Sequence, residues 1–235
     1  MSSPHRHPIF SRLYPRIAHT AERGGGAAHR RTLLDGLSGR VIEVGAGHGL
    51  NFPYYGEGVT QVVAVEPEPY LRGLAEHAAS TATVPIDVRE GIAEALPAED
   101  AEFDVVVASL VLCSVEDQRV ALGEIARVLR PQGELRFYEH VISNRPGMAR
   151  MQRWADATIY PHLAGGCHAA RDTGAAISDA GFRIEREERI AFKPSPLAPA
   201  TPHILGALEL PDRPHRERGR LAVNRAPTLG SKKRH

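Results

Sequence analysis

Only two of the 235 residues are cysteine, Cys113 and Cys167. That excludes a disulfide framework and fits a reducing, cytoplasmic setting. No uninterrupted apolar run approaches the length of a bilayer span, and Met1–Arg12 lacks the apolar centre of a signal peptide. No integral membrane segment is therefore expected. Positive charge is scarce where a nucleic acid would need it. Of 29 Lys/Arg and 28 Asp/Glu, eight basic and two acidic residues fall in 211–235, which leaves 21 against 26 in the rest. A body with that balance offers no cationic groove to displace phosphate counterions, so nucleic acid is not an expected partner. The twelve histidines are scattered, with His5, His7, His215 and His235 near the ends. No metal-ligand cluster is visible, no metal is expected, and there are no internal repeats.

What is present is an alternation of strand and helix patterns, which implies crossovers and a mainly parallel sheet. Strands are predicted at Arg40–Val44, Gln61–Glu66, Val84–Val88, Phe103–Ala108, Glu134–Glu139, Phe182–Ile190 and His203–Leu210. The runs Val62–Val65 and Val105–Ala108 read as strands buried on both faces. Helices are predicted at Tyr70–Ser80, Asp117–Leu129, Met148–Tyr160 and Asp172–Ala180, the second stopped by a turn at Arg130-Pro131-Gln132-Gly133. Residues 1–37 read as an N-terminal helical lid split at Gly24-Gly25-Gly26, and 38–210 as the main domain. Lys193–Pro199 is a proline-stiffened connection. The basic tail 211–235 has little apolar content and is expected to be disordered.

The segment richest in information is Val41-Ile42-Glu43-Val44-Gly45-Ala46-Gly47-His48-Gly49. A strand that ends in spaced glycines turns tightly and lets a nucleotide approach without a Cβ in the way. A dinucleotide fingerprint would place its third glycine three positions after the second; here it follows after two. Glu43 would repel a pyrophosphate and welcome a cationic ligand. Glu66, at the end of the next strand, is placed to accept hydrogen bonds from a ribose diol, the alternative being a solvated loop carboxylate.

This E-x-G-x-G-x-G pattern resembles motif I of the class I S-adenosylmethionine (SAM) methyltransferases. Gly91-Ile92-Ala93-Glu94-Ala95-Leu96-Pro97 is similar to the G-D-A-E-x-L-P motif of the type 11, ubiquinone and menaquinone biosynthesis group, with Ile92 where that group carries an acid. Phe103-Asp104 and Ala126–Gly133 match further motifs in order, over about residues 38–142. The resemblance implies a Rossmann-like, seven-stranded, mainly parallel sheet with helices on both faces. It also implies SAM as cofactor, held by Glu43, Gly45, Ala46, Gly47, Gly49, Asn51, Glu66, Pro67, Ile92, Ala93, Ser109 and Leu110. Shorter blocks extend the likeness to the methyltransferase-like seven group of small thiol methyltransferases: Leu50-Asn51-Phe52, Leu110–Val115, Glu139-His140-Val141, Gly166-Cys167 with Arg171, and Pro202-His203-Ile204. Chemistry on thiols follows as an expectation of that resemblance.

Ligands of such sheets bind beyond the carboxyl ends of the strands. His140, ending the fifth strand, is placed either to take a proton from a methyl acceptor or to anchor the following loop. Cys113 is assigned to the acceptor side as well. Cys167 reads as a nucleophile or acceptor contact, or as a small buried residue. Arg171 reads as a clamp for an anionic acceptor or as a surface ion pair. Trp154, with Tyr160, reads as a pocket wall or as core. Tyr14 and its helix are available to cover the opening. His48 is expected to face solvent or the cofactor carboxylate. The function expected is methyl transfer to a small, fairly apolar acceptor at sulfur, oxygen or carbon. The alternative is a non-catalytic SAM- or nucleotide-binding module. Acceptor identity and oligomeric state are left open.

Overall fold

The computed structural model describes residues 8–158, 160–194 and 199–211. Most of the basic tail and the middle of the proline-stiffened connection lie outside these. An N-terminal helix α1 (Pro8–Ala21) runs through a π-helical turn (Glu22–Gly26) into α2 (Ala27–Leu34). The glycine run therefore kinks the segment without splitting it. Gly25 carries the kink at φ 118°. Gly24 admits the Pro194 carbonyl, which would lie 2.6 Å from a Cβ at that position.

The sheet strands are β1 (Gly39–Val44), β2 (Val59–Val65), β3 (Ile86–Arg89), β4 (Phe103–Ser109), β5 (Leu129–His140), β6 (Arg183–Phe192) and β7 (Thr201–Glu209). Their order is β3-β2-β1-β4-β5-β7-β6, with β1 to β5 parallel and β7 antiparallel to both neighbours. Helices α3 (Pro69–Ala79), α4 (Gln118–Val128), α5 (Pro146–Asp156), α6 (Tyr160–Leu163) and α7 (Thr173–Asp179) complete the domain. The polar residue before a helix fixes several starts: Glu68, Asp117 and Asp172 accept backbone N–H groups of α3, α4 and α7.

The valine runs of β2 and β4 are buried on both faces, as expected. One apolar layer joins the sheet to α4 and α7 through Leu122, Ile125 and Ile177. The other joins it to α2 and α3 through Leu33, Leu34 and Ala75. Strand β6 is an exposed edge protected by alternating charges.

Two boundaries differ from the sequence reading. Leu129 already pairs with Phe103 in the sheet, so Arg130–Gly133 is an irregular start to β5 instead of a free turn. Gln132 there adopts φ 63°. The helix predicted over Met148–Tyr160 starts at Pro146 and stops at Asp156, and α6 is a separate turn. Strand order reverses between β1 and β4. The crevice beyond their carboxyl ends is the switch point at which ligands of open α/β sheets bind.

Candidate functional site

Three left-handed glycines leave β1: Gly45 at φ 65°, Gly47 at φ 59° and Gly49 at φ 84°. They are not equivalent. A Cβ on Gly45 would meet Val111 Cγ2 at 2.4 Å, and one on Gly49 would meet the Phe52 ring at 2.7 Å. A Cβ on Gly47 would find only Tyr14 Cε1, at 3.5 Å. Packing thus requires the outer glycines, whereas the middle one turns its bare face to Tyr14. Glu66 holds this loop: Oε2 accepts the Gly47 N–H at 2.8 Å and Oε1 accepts the Glu68 N–H at 2.9 Å. Burial pushes the Glu66 carboxyl up to about 7 despite those two bonds. Each oxygen retains a lone pair for a further donor.

Glu43 departs from expectation. All of Val41–Val44 is buried, and the two carboxylate oxygens are taken by Asn51 Nδ2 at 2.9 Å and the Tyr55 hydroxyl at 2.6 Å. The carboxylate therefore lies one layer behind the glycine loop, where burial pushes it up to about 7. Asn51 is likewise 1% exposed and frames the loop instead of opening onto the crevice. Its Oδ1 accepts from Arg30 Nη1 at 2.8 Å, and the same nitrogen donates to Ser109 Oγ at 3.1 Å. Arg30 Nε meets Glu22 Oε1 at 2.7 Å. Sequence reasoning missed Arg30. Its signal was a cation on the face of α2 that also buries Leu33 and Leu34.

In the loop after β3, the Ala95 N–H donates to the Ile92 carbonyl in a tight turn. Ala93 is in the core while Ile92 stays partly exposed. The Pro67 carbonyl is occupied by Arg72 at 3.2 Å.

At the ends of β4 and β5, Leu110 takes φ 59° and its N–H donates to the Tyr138 carbonyl at 2.7 Å. The next three N–H groups, of Val111, Leu112 and Cys113, all donate to the Glu139 carboxylate at 2.9, 2.9 and 3.1 Å. This buried carboxylate, pushed up to about 7 by desolvation, gathers the loop around itself and sets Cys113 beside Cys167. Cys113 Sγ lies 3.5 Å from Cys167 Sγ, which lies 3.9 Å from His140 Nδ1. The contact with Cys113, and after it His140, brings the Cys167 thiol down to about 5 against the opposing effect of burial. The Cys167 contact and burial push Cys113 well up. His140 Nε2 is buried without a hydrogen-bond partner. Its ring sits 5.2 Å from His203, which is itself stacked on Tyr138.

Two residues read as acceptor contacts do other work. The Arg171 Nη1 donates to the Leu112 and Val115 carbonyls at 3.1 and 2.5 Å. Through that nitrogen it braces the loop after β4. Trp154 is 71% exposed. Gln152, two residues earlier, faces inward and bonds the Val141 and Ala169 carbonyls. Two helical residues subtend about 200°, so Trp154 must point away from the site.

Tyr14 of α1 lies over the glycine loop, its Cε1 3.5 Å from where a Cβ on Gly47 would stand. Its ring lies 5.6 Å from His48 and 5.2 Å from Phe10. Burial raises its hydroxyl above the ordinary value. Arg30 opposes that, and Glu66 and Cys113 add to it, which puts Tyr14 within electrostatic reach of both the glycine-loop side and the cysteine side. His48 does not face solvent: neither ring nitrogen has a partner, and burial, then His19, then Arg30 push it down to about 4. Among the described residues no group of three metal-binding side chains occurs, and no helix is long and apolar enough to cross a membrane.

The methyltransferase domain family matches residues 42–137, from within β1 to within β5. The mouse thiol S-methyltransferase TMT1B is 35% identical over 181 residues, covering 74% of this chain and 72% of the relative. The human thiol S-methyltransferase TMT1A is 32% identical over 180 residues, covering 73% and 71%. A solved SAM-dependent methyltransferase from Thermotoga maritima superposes with a TM-score of 0.61 at 20% identity, covering 86% of this chain and 98% of that one. Another from Mesorhizobium loti gives 0.58 at 18% identity, covering 80% and 98%. Fold and crevice thus define a class I SAM-dependent methyltransferase, an enzyme that passes a methyl group from SAM to a small-molecule acceptor. The chain belongs to the family that includes the mouse and human thiol S-methyltransferases.

Proposed function

We propose that the methyl acceptor is a small, fairly apolar thiol, bound where β4 and β5 end. The observation that carries this reading is the cluster of His140, Cys167 and Cys113, a weakly hydrated setting of imidazole and sulfur beyond the carboxyl ends of β4 and β5. The activity named for the mouse and human relatives agrees with it.

SAM, when bound, supplies a methyl on a sulfonium that needs no further activation. The protein's work is to bind, align and exclude water. Gly45, Ala46, Gly47 and Gly49 form the bare loop against which the cofactor lies, and Glu66 is assigned to the ribose hydroxyls. Ile92 and Ala93 are assigned to the adenine, and Ser109, Leu110 and His48 to the amino-acid end. Glu43 and Asn51 act from behind, through the shape of the loop. His140 receives the acceptor's proton, and its buried, unpartnered Nε2 is a polar group still owed a ligand. Tyr14, carried by residues 1–37 as a cover over the 38–210 domain, closes the crevice between glycine loop and cysteines. The tail from 211 is assigned no part in the site. The acidic body argues for small molecules over nucleic acid, and the free cysteines for the cytoplasm.

The test is incubation of the purified chain with labelled SAM and a panel of thiols, phenols and quinone precursors. Methylated thiols are expected. Transfer confined to phenol oxygen or ring carbon would overturn the reading.

A further inference from the structure

The two cysteines are 54 residues apart in sequence and 3.5 Å apart at sulfur, and they are the chain's only pair. Their surroundings differ. Cys113 is 2% exposed, with its N–H on Glu139 and its carbonyl accepting from the His168 N–H at 2.9 Å. Cys167 is partly exposed, on the irregular turn after α6, and no helix or strand holds it. Gly165 and Gly166 before it have left-handed torsions, φ 62° and 88°. Groups facing the pair from neighbouring elements are His140 from β5, Asp156 from α5, Tyr160 from α6 and Glu139 beneath the loop. An accessible thiol beside an imidazole, backed by a buried second thiol, is the arrangement of an attacking and a resolving cysteine. Closing the sulfurs to a bond of about 2.05 Å needs side-chain rotation and a small shift of the turn.

We propose that Cys113 and Cys167 form an exchange dithiol that opens small-molecule disulfides and so frees a thiolate beside the methyl-transfer site. The Cys167 thiolate attacks one sulfur of R–S–S–R. The S–S bond breaks, one RS⁻ leaves, and a mixed disulfide forms on Cys167. Cys113 then gives up its proton to the departing thiolate or to His140 and attacks Cys167 Sγ. The second RS⁻ leaves as the Cys113–Cys167 bond forms. Two electrons pass from the protein dithiol to the small disulfide, and a low-potential dithiol reductant resets the pair. The lowered Cys167 and raised Cys113 values match this division of labour. The benefit to methyl transfer rests on the thiol reading above. The exchange itself does not.

The test uses the full chain, reduced and then freed of reductant, with a symmetrical nitroaryl disulfide whose released thiolate is coloured. Two coloured equivalents per chain are expected. The protein should lose the mass of two hydrogens, retain no adduct and yield a crosslinked Cys113–Cys167 peptide. Cys113→Ser should release one equivalent and keep a stable adduct on Cys167, and Cys167→Ser should react at least about tenfold more slowly, as a buried thiol does. Persistent adducts on both wild-type cysteines without a crosslink would overturn the proposal, and that readout stands even where a variant fails to fold. Methylation of a pre-reduced thiol is assayed separately. Its loss with exchange intact removes only the thiol reading, and its survival without a crosslink removes only this inference.

Discussion

Glu66 and Gly47 are joined by a hydrogen bond of 2.8 Å from the glycine N–H to Oε2, so the carboxylate that follows β2 holds the middle of the glycine loop. The same carboxyl is pushed up to about 7 by burial. If it accepts the ribose hydroxyls as an anion, binding must release the proton it carries at lower pH. Affinity for SAM or S-adenosylhomocysteine should therefore rise as pH rises through about 7 and level off above. Calorimetry across that range should show the slope in the wild type and its loss in Glu66→Gln. Glu66→Ala should weaken binding by roughly 1.5–3 kcal/mol, the range for hydrogen bonds to a charged group. A slope unchanged in Glu66→Gln would take Glu66 off the cofactor.

The three glycines should separate folding from binding. Gly47→Ala meets ordinary contact distance at Tyr14 and pays only for a left-handed alanine, roughly 1–2 kcal/mol, while filling the cofactor's approach. It should fold and lose cofactor binding. Gly45→Ala drives a Cβ to 2.4 Å from Val111 and should unfold the loop as well. Denaturant melts beside binding curves check this; equal loss of stability in the two variants contradicts it.

Arg30 is the cation that ties the N-terminal segment to the domain, through Glu22, Asn51 and Ser109. Arg30→Met leaves a part-buried carboxylate and two polar side chains without their donor. The expected cost is about 3–5 kcal/mol, typical of breaking a buried pair, read from the urea midpoint. A change below about 1 kcal/mol, the scale of an exposed pair, would mean that the segment is held by its apolar contacts alone.

Much of this was legible in the sequence, and the failures have physical causes. Val62–Val65 and Val105–Ala108 announce central strands because only a strand covered on both faces tolerates such runs. The glycine spacing and Glu66 announce the crevice because the backbone geometry there admits few alternatives. Trp154 was misread because aromaticity does not reveal helix phase. Its neighbour Gln152, buried for its two carbonyl contacts, fixes that phase. Arg171 and Glu43 were assigned to ligands because a charge in a motif looks available. Their partners are backbone carbonyls in one case and Asn51 and Tyr55 in the other, and only the fold brings these close. The partners of Arg30, Asn51 and Ser109, and the 3.5 Å contact between Cys113 and Cys167 are long-range juxtapositions; only the place of Arg30 on the buried face of α2 is legible locally.

His140→Ala should lower turnover by about 10²–10⁴-fold, the usual worth of a positioned proton acceptor, with little change in SAM affinity. A thiol already ionised at high pH should recover much of the loss, so the deficit should shrink as pH rises. A loss of less than about threefold at neutral pH would leave His140 as an anchor for the loop that follows it.

The most direct measurement is competition between an alkyl thiol and the alcohol of the same carbon skeleton, with one SAM pool and product identified by mass spectrometry. The account predicts the methyl thioether as product, with kcat/KM for the thiol at least about 10²-fold above that for the alcohol, equivalent to roughly 3 kcal/mol of transition-state preference. Comparable rates for the two, or methyl ether as the main product, would contradict it.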